Sequence, residues 1–132
     1  ARVHAEQGCY ARSLELNDRA LTIFQKALGD DHPRVATIYS EMAATRSRQG
    51  SHNLALSLHE RALALRRKTL GDRHIDVARS YANLGRTYFG MDSFHRALEC
   101  FENAKAILAE TLGDKHPEFA AVCHSMAKVH AE

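Results

Sequence analysis

An all-α fold of antiparallel helix pairs stacked into a solenoid is predicted by three observations. The phrases LGDDHPRVA, LGDRHIDVA and LGDKHPEFA begin at Leu28, Leu70 and Leu112, each 42 residues after the last. Five of the nine positions (Leu, Gly, Asp, His, Ala) are the same in all three copies, and self-similarity at a fixed period of a few tens of residues marks a repeat architecture. Apolar residues recur at intervals of three and four, as at Val35, Ile38, Tyr39, Met42 and Ala43, which is the period of an amphipathic helix and not the alternation of a strand. The 132 residues include only two prolines and no tryptophan, while alanine, leucine, arginine and glutamate are abundant and favour helix. Helix pairs that cannot cover their own apolar faces stack on their neighbours, so the core is spread along the array.

The spacing predicts a short helix over 1–7, then helices near 10–28, 33–48, 52–69, 75–90, 94–111 and 117–131, about seven in all. Within the repeated phrase, Gly29, Gly71 and Gly113 each follow a helical segment, where a left-handed residue ends a helix at little steric cost. Asp30, Asp72 and Asp114 occupy the connection, where a side chain can satisfy free backbone donors. Pro33 and Pro117 suit the first turn of the next helix, because their missing N–H needs no partner there. Ile75 replaces the proline in the middle copy, predicting a looser junction. A second boundary falls near Gly8, Gly50 and Gly90 to Asp92. Short turns make successive helices antiparallel. The chain is therefore expected to be one array over 1–132. Its units are 1–32, truncated at the N-terminus, then 33–74, 75–116, and 117–132 as a lone first helix of a further repeat.

Charged residues make up 26% and hydrophobic ones 45% of the chain, which argues against disorder. A net charge of +2, with basic and acidic residues interspersed, predicts no nucleic-acid partner. Cys9, Cys100 and Cys123 are odd in number and far apart, as expected of reduced thiols in a cytoplasmic protein. No apolar run is long enough to cross a membrane. The first residue is alanine, which reads as an excised fragment of a longer protein.

Leu84, Gly85, Tyr88, Ala97, Phe101 and Ala104 fit the spacing of the 34-residue tetratricopeptide repeat at each of those positions, with the eight additional residues following Ala104. The neighbouring copy keeps Met42, Ala43, Ala55 and Ala62 but has Arg46 in place of the tyrosine and His59 in place of the phenylalanine. The stretch RALALRRKTLGDRHIDVARSYANLGRTYF (Arg61–Phe89) resembles the 42-residue tetratricopeptide repeats of kinesin light chain and its relatives, including nephrocystin-like proteins. Those repeats carry an arginine-rich helix end, a Leu-Gly-x-x-His-Pro-x-Val-Ala turn and an Asn-Leu-Ala helix. The resemblance covers essentially the whole chain. It implies a right-handed tetratricopeptide solenoid, a non-catalytic protein-interaction role and a cytoplasmic setting associated with the cytoskeleton or cilium.

The candidate chemical sites are few. His32, His74 and His116 stand one repeat apart, too far to share a metal ion, and are expected to cap or pack the turns. HSMAKVH (His124–His130) lacks the HExxH spacing and glutamate. No nucleophile, base and acid are grouped as a hydrolase requires, and no Gly-rich phosphate loop occurs. No cofactor, metal or catalytic residue is therefore expected. The basic run RALALRRK (Arg61–Lys68) is expected to be a solvated outer face.

In tetratricopeptide arrays the first helix of each pair lines the concave groove. Counting from Leu84, the inward-facing residues are Arg79, Ala82, Asn83, Arg86 and Phe89. The preceding repeat offers Thr37, Ser40, Glu41, Ala44 and Arg48; the following one offers Ala121, His124, Ser125 and Lys128; the first helix offers Arg2. Five of these are cationic against one acid, Glu41, so the groove is expected to favour an acidic peptide gripped by arginine forks. Asn83 matches the groove asparagine with which kinesin-light-chain-like repeats hold the backbone of extended cargo peptides, although Glu41 and Ser125 stand at its equivalents here. A second expectation is structural. The uncovered ends, including Ala120, Val122, Cys123 and Met126, make the chain a segment of a longer array that self-associates.

Overall fold

Each copy of the nine-residue phrase folds into the same helix stop, turn and helix start. The computed structural model describes residues 2–132, with side chains described from residue 8 onward. Its helices are α1 (Arg2–Leu28), α2 (Pro33–Arg48), α3 (His52–Leu70), α4 (Ile75–Gly90), α5 (Phe94–Thr111) and α6 (Pro117–Ala131), and no strand occurs among the described residues. Gly29, Gly71 and Gly113 take φ of +90°, +92° and +89° just past the ends of α1, α3 and α5, a conformation open to glycine without a Cβ clash. The next helix is then capped by histidine. Nδ1 of His32, His74 and His116 accepts from the N–H of Arg34, Asp76 and Glu118 at 3.1, 3.0 and 3.1 Å. The ring nitrogen does the work of a serine or aspartate oxygen at an N-cap. Ile75 does not loosen the middle junction, whose cap has the same geometry as the two proline-led ones.

The expected break near Gly8 does not occur, and α1 runs through it, giving six helices among the described residues, close to the seven or so expected. At the equivalent register Gly50 has φ +81° and Asp92 has φ +62°. The carbonyls of the following serines, Ser51 and Ser93, accept from Ala55 and Ala97 at 3.0 Å as α3 and α5 begin. Cys9 stands where those serines stand. Gly8, unlike Gly50, does not take a positive φ, and the helix continues through it.

The chain divides into two compact units, Ala1–Leu65 and Arg66–Glu132, with the boundary inside α3. In the first, Val35, Ala36, Ala62 and Leu65 are buried together, with Leu21, Phe24 and Tyr39 packed against them. The Arg34 guanidinium lies 5.9 Å over the Phe24 ring and that of Arg61 5.9 Å over Tyr39. A residue late in α1 thus meets one early in α2, and Val35, early in α2, meets Leu65, late in α3. Consecutive helices are antiparallel.

In the second unit, contacts step away from the α4–α5 turn in matching order. Phe89 meets Phe94 edge to face at 5.6 Å, Arg96 lies 5.9 Å over Tyr88, and Gly85 faces Phe101. A Cβ added at Gly85 would lie 2.7 Å from the Phe101 ring, which is itself only 2% exposed. No side chain larger than hydrogen fits there. α6 packs on the far flank of α5, where Lys105 lies 5.9 Å over Phe119. Val122, expected to be uncovered on α6, is only 4% exposed, while Cys123 and Met126 are half-buried and Ala120 is exposed. α5 and its neighbours cover that part of the helix.

The basic run at the end of α3 is not simply a solvated face. Arg66 donates to Ser80 Oγ at 2.8 Å, Arg67 pairs with Asp72 at 2.9 Å, and Arg61 covers Tyr39. Burial pushes the Arg66 guanidinium below its ordinary value, with Asp76 pulling it up and Arg79 pushing it down.

The tight contact generates a test. Gly85→Ala is expected to cost about 1–3 kcal/mol, as overpacking of a well-filled core does, seen as a lower midpoint in urea unfolding. One repeat earlier, Ala43 and His59 occupy the positions of Gly85 and Phe101. Gly85→Ala combined with Phe101→His is therefore expected to lose less than the sum of the two single changes in a double-mutant cycle.

Candidate functional site

A trough of about 310 Å³ opens between α4 and α6, with α5 as its floor. Arg79, Ala82, Asn83 and Arg86 form one wall, Glu118, Ala121 and Val122 the other, and Leu108 lies beneath. Arg86 also belongs to a second hollow of about 160 Å³, lined by Phe89, Phe101, Ser125 and Lys128. The two hollows share Arg86 and lie in the second unit.

This geometry follows from the helix period. Positions 79, 82, 83 and 86 recur at three and four residues and share one face of α4. On α6, residues 118, 121 and 125 do the same. Gly85 faces Phe101 of α5, and Leu84 is buried.

The electrostatics differ from the simple count of five cations against one acid. Arg79 is engaged by carboxylates. Its Nη2 donates to Glu118 Oε1 at 2.7 Å, its Nε to Glu118 Oε2 at 3.3 Å, and its Nη1 to Asp76 Oδ1 at 3.2 Å. The hydrogen bonds from Arg79 hold the Glu118 carboxyl below the usual carboxylate range against an opposing push from burial, and they raise Arg79 above its own ordinary value. Arg86 is different: its Nη1 donates to the Asn83 amide oxygen at 3.2 Å, a neutral partner. Neither Arg86 nor Lys128 makes an ion pair with a described residue. The trough has a charge-satisfied end at Arg79 and an open cationic end at Arg86 and Lys128.

Of the residues singled out from sequence, the structure brings Arg79, Asn83 and Arg86 into the trough and Arg86 and Lys128 into the adjoining hollow. His124 is exposed on α6 and lines neither. Thr37, Glu41 and Arg48 are exposed on α2 in the first unit, where the Thr37 hydroxyl donates to the Pro33 carbonyl at 3.2 Å. The Arg2 side chain lies outside the described residues. Sequence reasoning missed Glu118 and Asp76. Asp76 was findable, because it stands three residues before Arg79 on one helix face; Glu118 stands 42 residues after Asp76, at the same repeat position.

Among the described residues, no three His, Cys, Asp or Glu side chains are grouped to hold a metal ion. Among the described residues no helix is long and apolar enough to cross a membrane.

The fork at Arg79 can be tested by titration. A carboxyl held low in the folded state adds stability above its ordinary value and loses it as pH falls through the depressed one. For so exposed a pair that contribution is below about 1 kcal/mol. Arg79→Gln is expected to move the Glu118 titration upward toward the ordinary glutamate range, read by NMR of its side-chain carboxyl carbon.

Comparison with known proteins agrees with this architecture. A tetratricopeptide repeat model matches residues 1–68 and again 34–108. No curated protein sequence gave a match. Among solved structures, a candidate kinesin light chain of Podosopora anserina with nearly identical TPR-like repeats superposes with a TM-score of 0.81 at 29% identity, over 98% of this chain and 61% of that one. A variant of the same protein gives the same values. BtubC (BKLC) from P. vanneervenii superposes with a TM-score of 0.84 over 94% of this chain and 50% of its own; at 22% identity it speaks to the fold alone. The chain thus spans 61% and 50% of the lengths of these neighbours. Repeats of this kind generally mediate protein–protein interaction or scaffolding and are typically non-catalytic. With the repeat model matched over most of its length, and with repeats similar to those of kinesin-light-chain-type proteins, the chain belongs to the tetratricopeptide repeat family.

Proposed function

We propose that this chain is a non-catalytic, cytoplasmic interaction module whose trough binds an acidic segment of a partner protein. The observation that carries the reading is the open cationic end. Arg86 and Lys128 flank an apolar hollow built on Phe89 and Phe101, and no described carboxylate neutralises them. An arginine fork grips a carboxylate with two parallel hydrogen bonds. Asn83 gives its amide oxygen to Arg86, which leaves its N–H donors for a peptide carbonyl. Leu108 supplies an apolar floor and Val122 an apolar part of the wall. We further take the chain as one array with full repeats at 33–74 and 75–116, working through proteins and without nucleic acid, membrane or cofactor.

A labelled acidic peptide followed by fluorescence anisotropy tests this. Arg86→Glu and Lys128→Glu are each expected to weaken binding by about tenfold, roughly 1.4 kcal/mol, and added salt should weaken it further. Affinity unchanged by both substitutions and by salt would sink the proposal.

A second reading, a scaffold segment that self-associates, is favoured by α1. Leu16 and Ile23 lie seven residues apart on one stripe of that helix and are 53% and 63% exposed. On this reading sedimentation velocity shows association that rises with concentration and is lost in Leu16→Glu/Ile23→Glu. A monomer throughout excludes it.

A further inference from the structure

We infer that Glu118 is a specificity-determining residue: an intramolecular occupant of a second acid site at Arg79, which limits the trough to partners with a single acidic cluster. The inference rests on the reading of the trough as a peptide site.

Arg79 and Arg86 lie on the same face of α4, seven residues and about 10.5 Å apart at 1.5 Å per residue. That distance is spanned by about three residues of a chain in the polyproline II conformation, which rises about 3.1 Å per residue and brings every third side chain to the same side. A ligand lying along the trough would therefore set acids three residues apart against both guanidiniums, were both open. They are not equivalent. The Glu118 carboxylate takes the forked position on Arg79 that a ligand carboxylate would take, and Asp76 takes the remaining Nη1. The carboxylate is well adapted to the place, since the same hydrogen bonds draw its proton affinity down.

Two helix-start N–H groups and a second guanidinium at that end are already engaged. The positive ends of α4 and α6 lie there, but the free N–H groups of Asp76 and Glu118 are already taken by His74 and His116. The neighbouring guanidinium of Arg66 is committed to Ser80. Taking Arg66 and Arg79 against Asp76 and Glu118, this end is charge-neutral, whereas Arg86 and Lys128 make the other end doubly positive. A second ligand acid arriving at Arg79 must displace Glu118 into its own neighbourhood and replaces one ion pair by another. It gains little.

The experiment compares two peptides of equal length: one with a single acidic cluster, and one with a second acid placed three residues from the first. The native chain is expected to bind the two within about twofold of each other. Glu118→Gln, which keeps the shape and removes the charge, is expected to raise the preference for the second peptide over the first by about three- to tenfold. Arg79→Gln added to Glu118→Gln should abolish the gain, and equal tightening of both peptides in Glu118→Gln alone would mark a general rise in positive potential and overturn the inference. Thermal unfolding of each variant confirms that it is folded. A native chain that already prefers the second peptide strongly, or a Glu118→Gln variant with an unchanged ratio, overturns the inference and leaves acidic-peptide binding standing. Failure of every form to bind either peptide overturns both.

Discussion

The close approach of α4 and α5 at Gly85 governs what surrounds it. The Phe101 ring occupies the space that any Cβ at Gly85 would claim. Because that ring seats against bare backbone, α5 can lie deep enough for Leu108 to floor the trough and for Phe101 itself to edge the adjoining hollow. With Gly85 turned toward Phe101, the three- and four-residue spacing leaves Arg79, Asn83 and Arg86 along another side of α4. The trough is in this sense a by-product of a packing decision. One repeat earlier, Ala43 and His59 stand at those positions, both nearly fully buried. A small residue opposite a large ring has given way there to a pair of more equal size.

Much of this was legible from spacing alone. The glycines that end helices, the prolines that begin them and the histidines between them were placed correctly because each depends on a few neighbouring residues. Gly8 misled for the complementary reason. A glycine stops a helix only where it takes the left-handed conformation, as Gly50 does and Gly8 does not. The count of groove charges was also incomplete. It tracked the face of each first helix by register, which finds Arg86 and Lys128, but it passed over the first turn of α6. Glu118 reaches Arg79 across helices, a contact that emerges only when one repeat is laid beside the next.

The same lesson applies to basic residues generally in this chain. Arg61, Arg66 and Arg67 look in sequence like a surface run available to an anionic partner, yet each is spent within the protein, on a ring, a hydroxyl and a carboxylate respectively. Arginine invites this, since its planar fork and weak hydration make it a good internal partner. Charge density along the chain therefore says less about partners than the few cations left over once internal pairs are assigned.

The histidine caps have one more consequence. A ring that gives the Nδ1 lone pair to a backbone N–H carries its hydrogen on Nε2, so each cap fixes one tautomer. An ionised aspartate in the same place would present only acceptors to the surroundings. Here each helix start carries an imidazole N–H donor on the far side of the ring from the backbone it caps, and the residue that closes the turn keeps a second hydrogen-bonding atom to offer elsewhere.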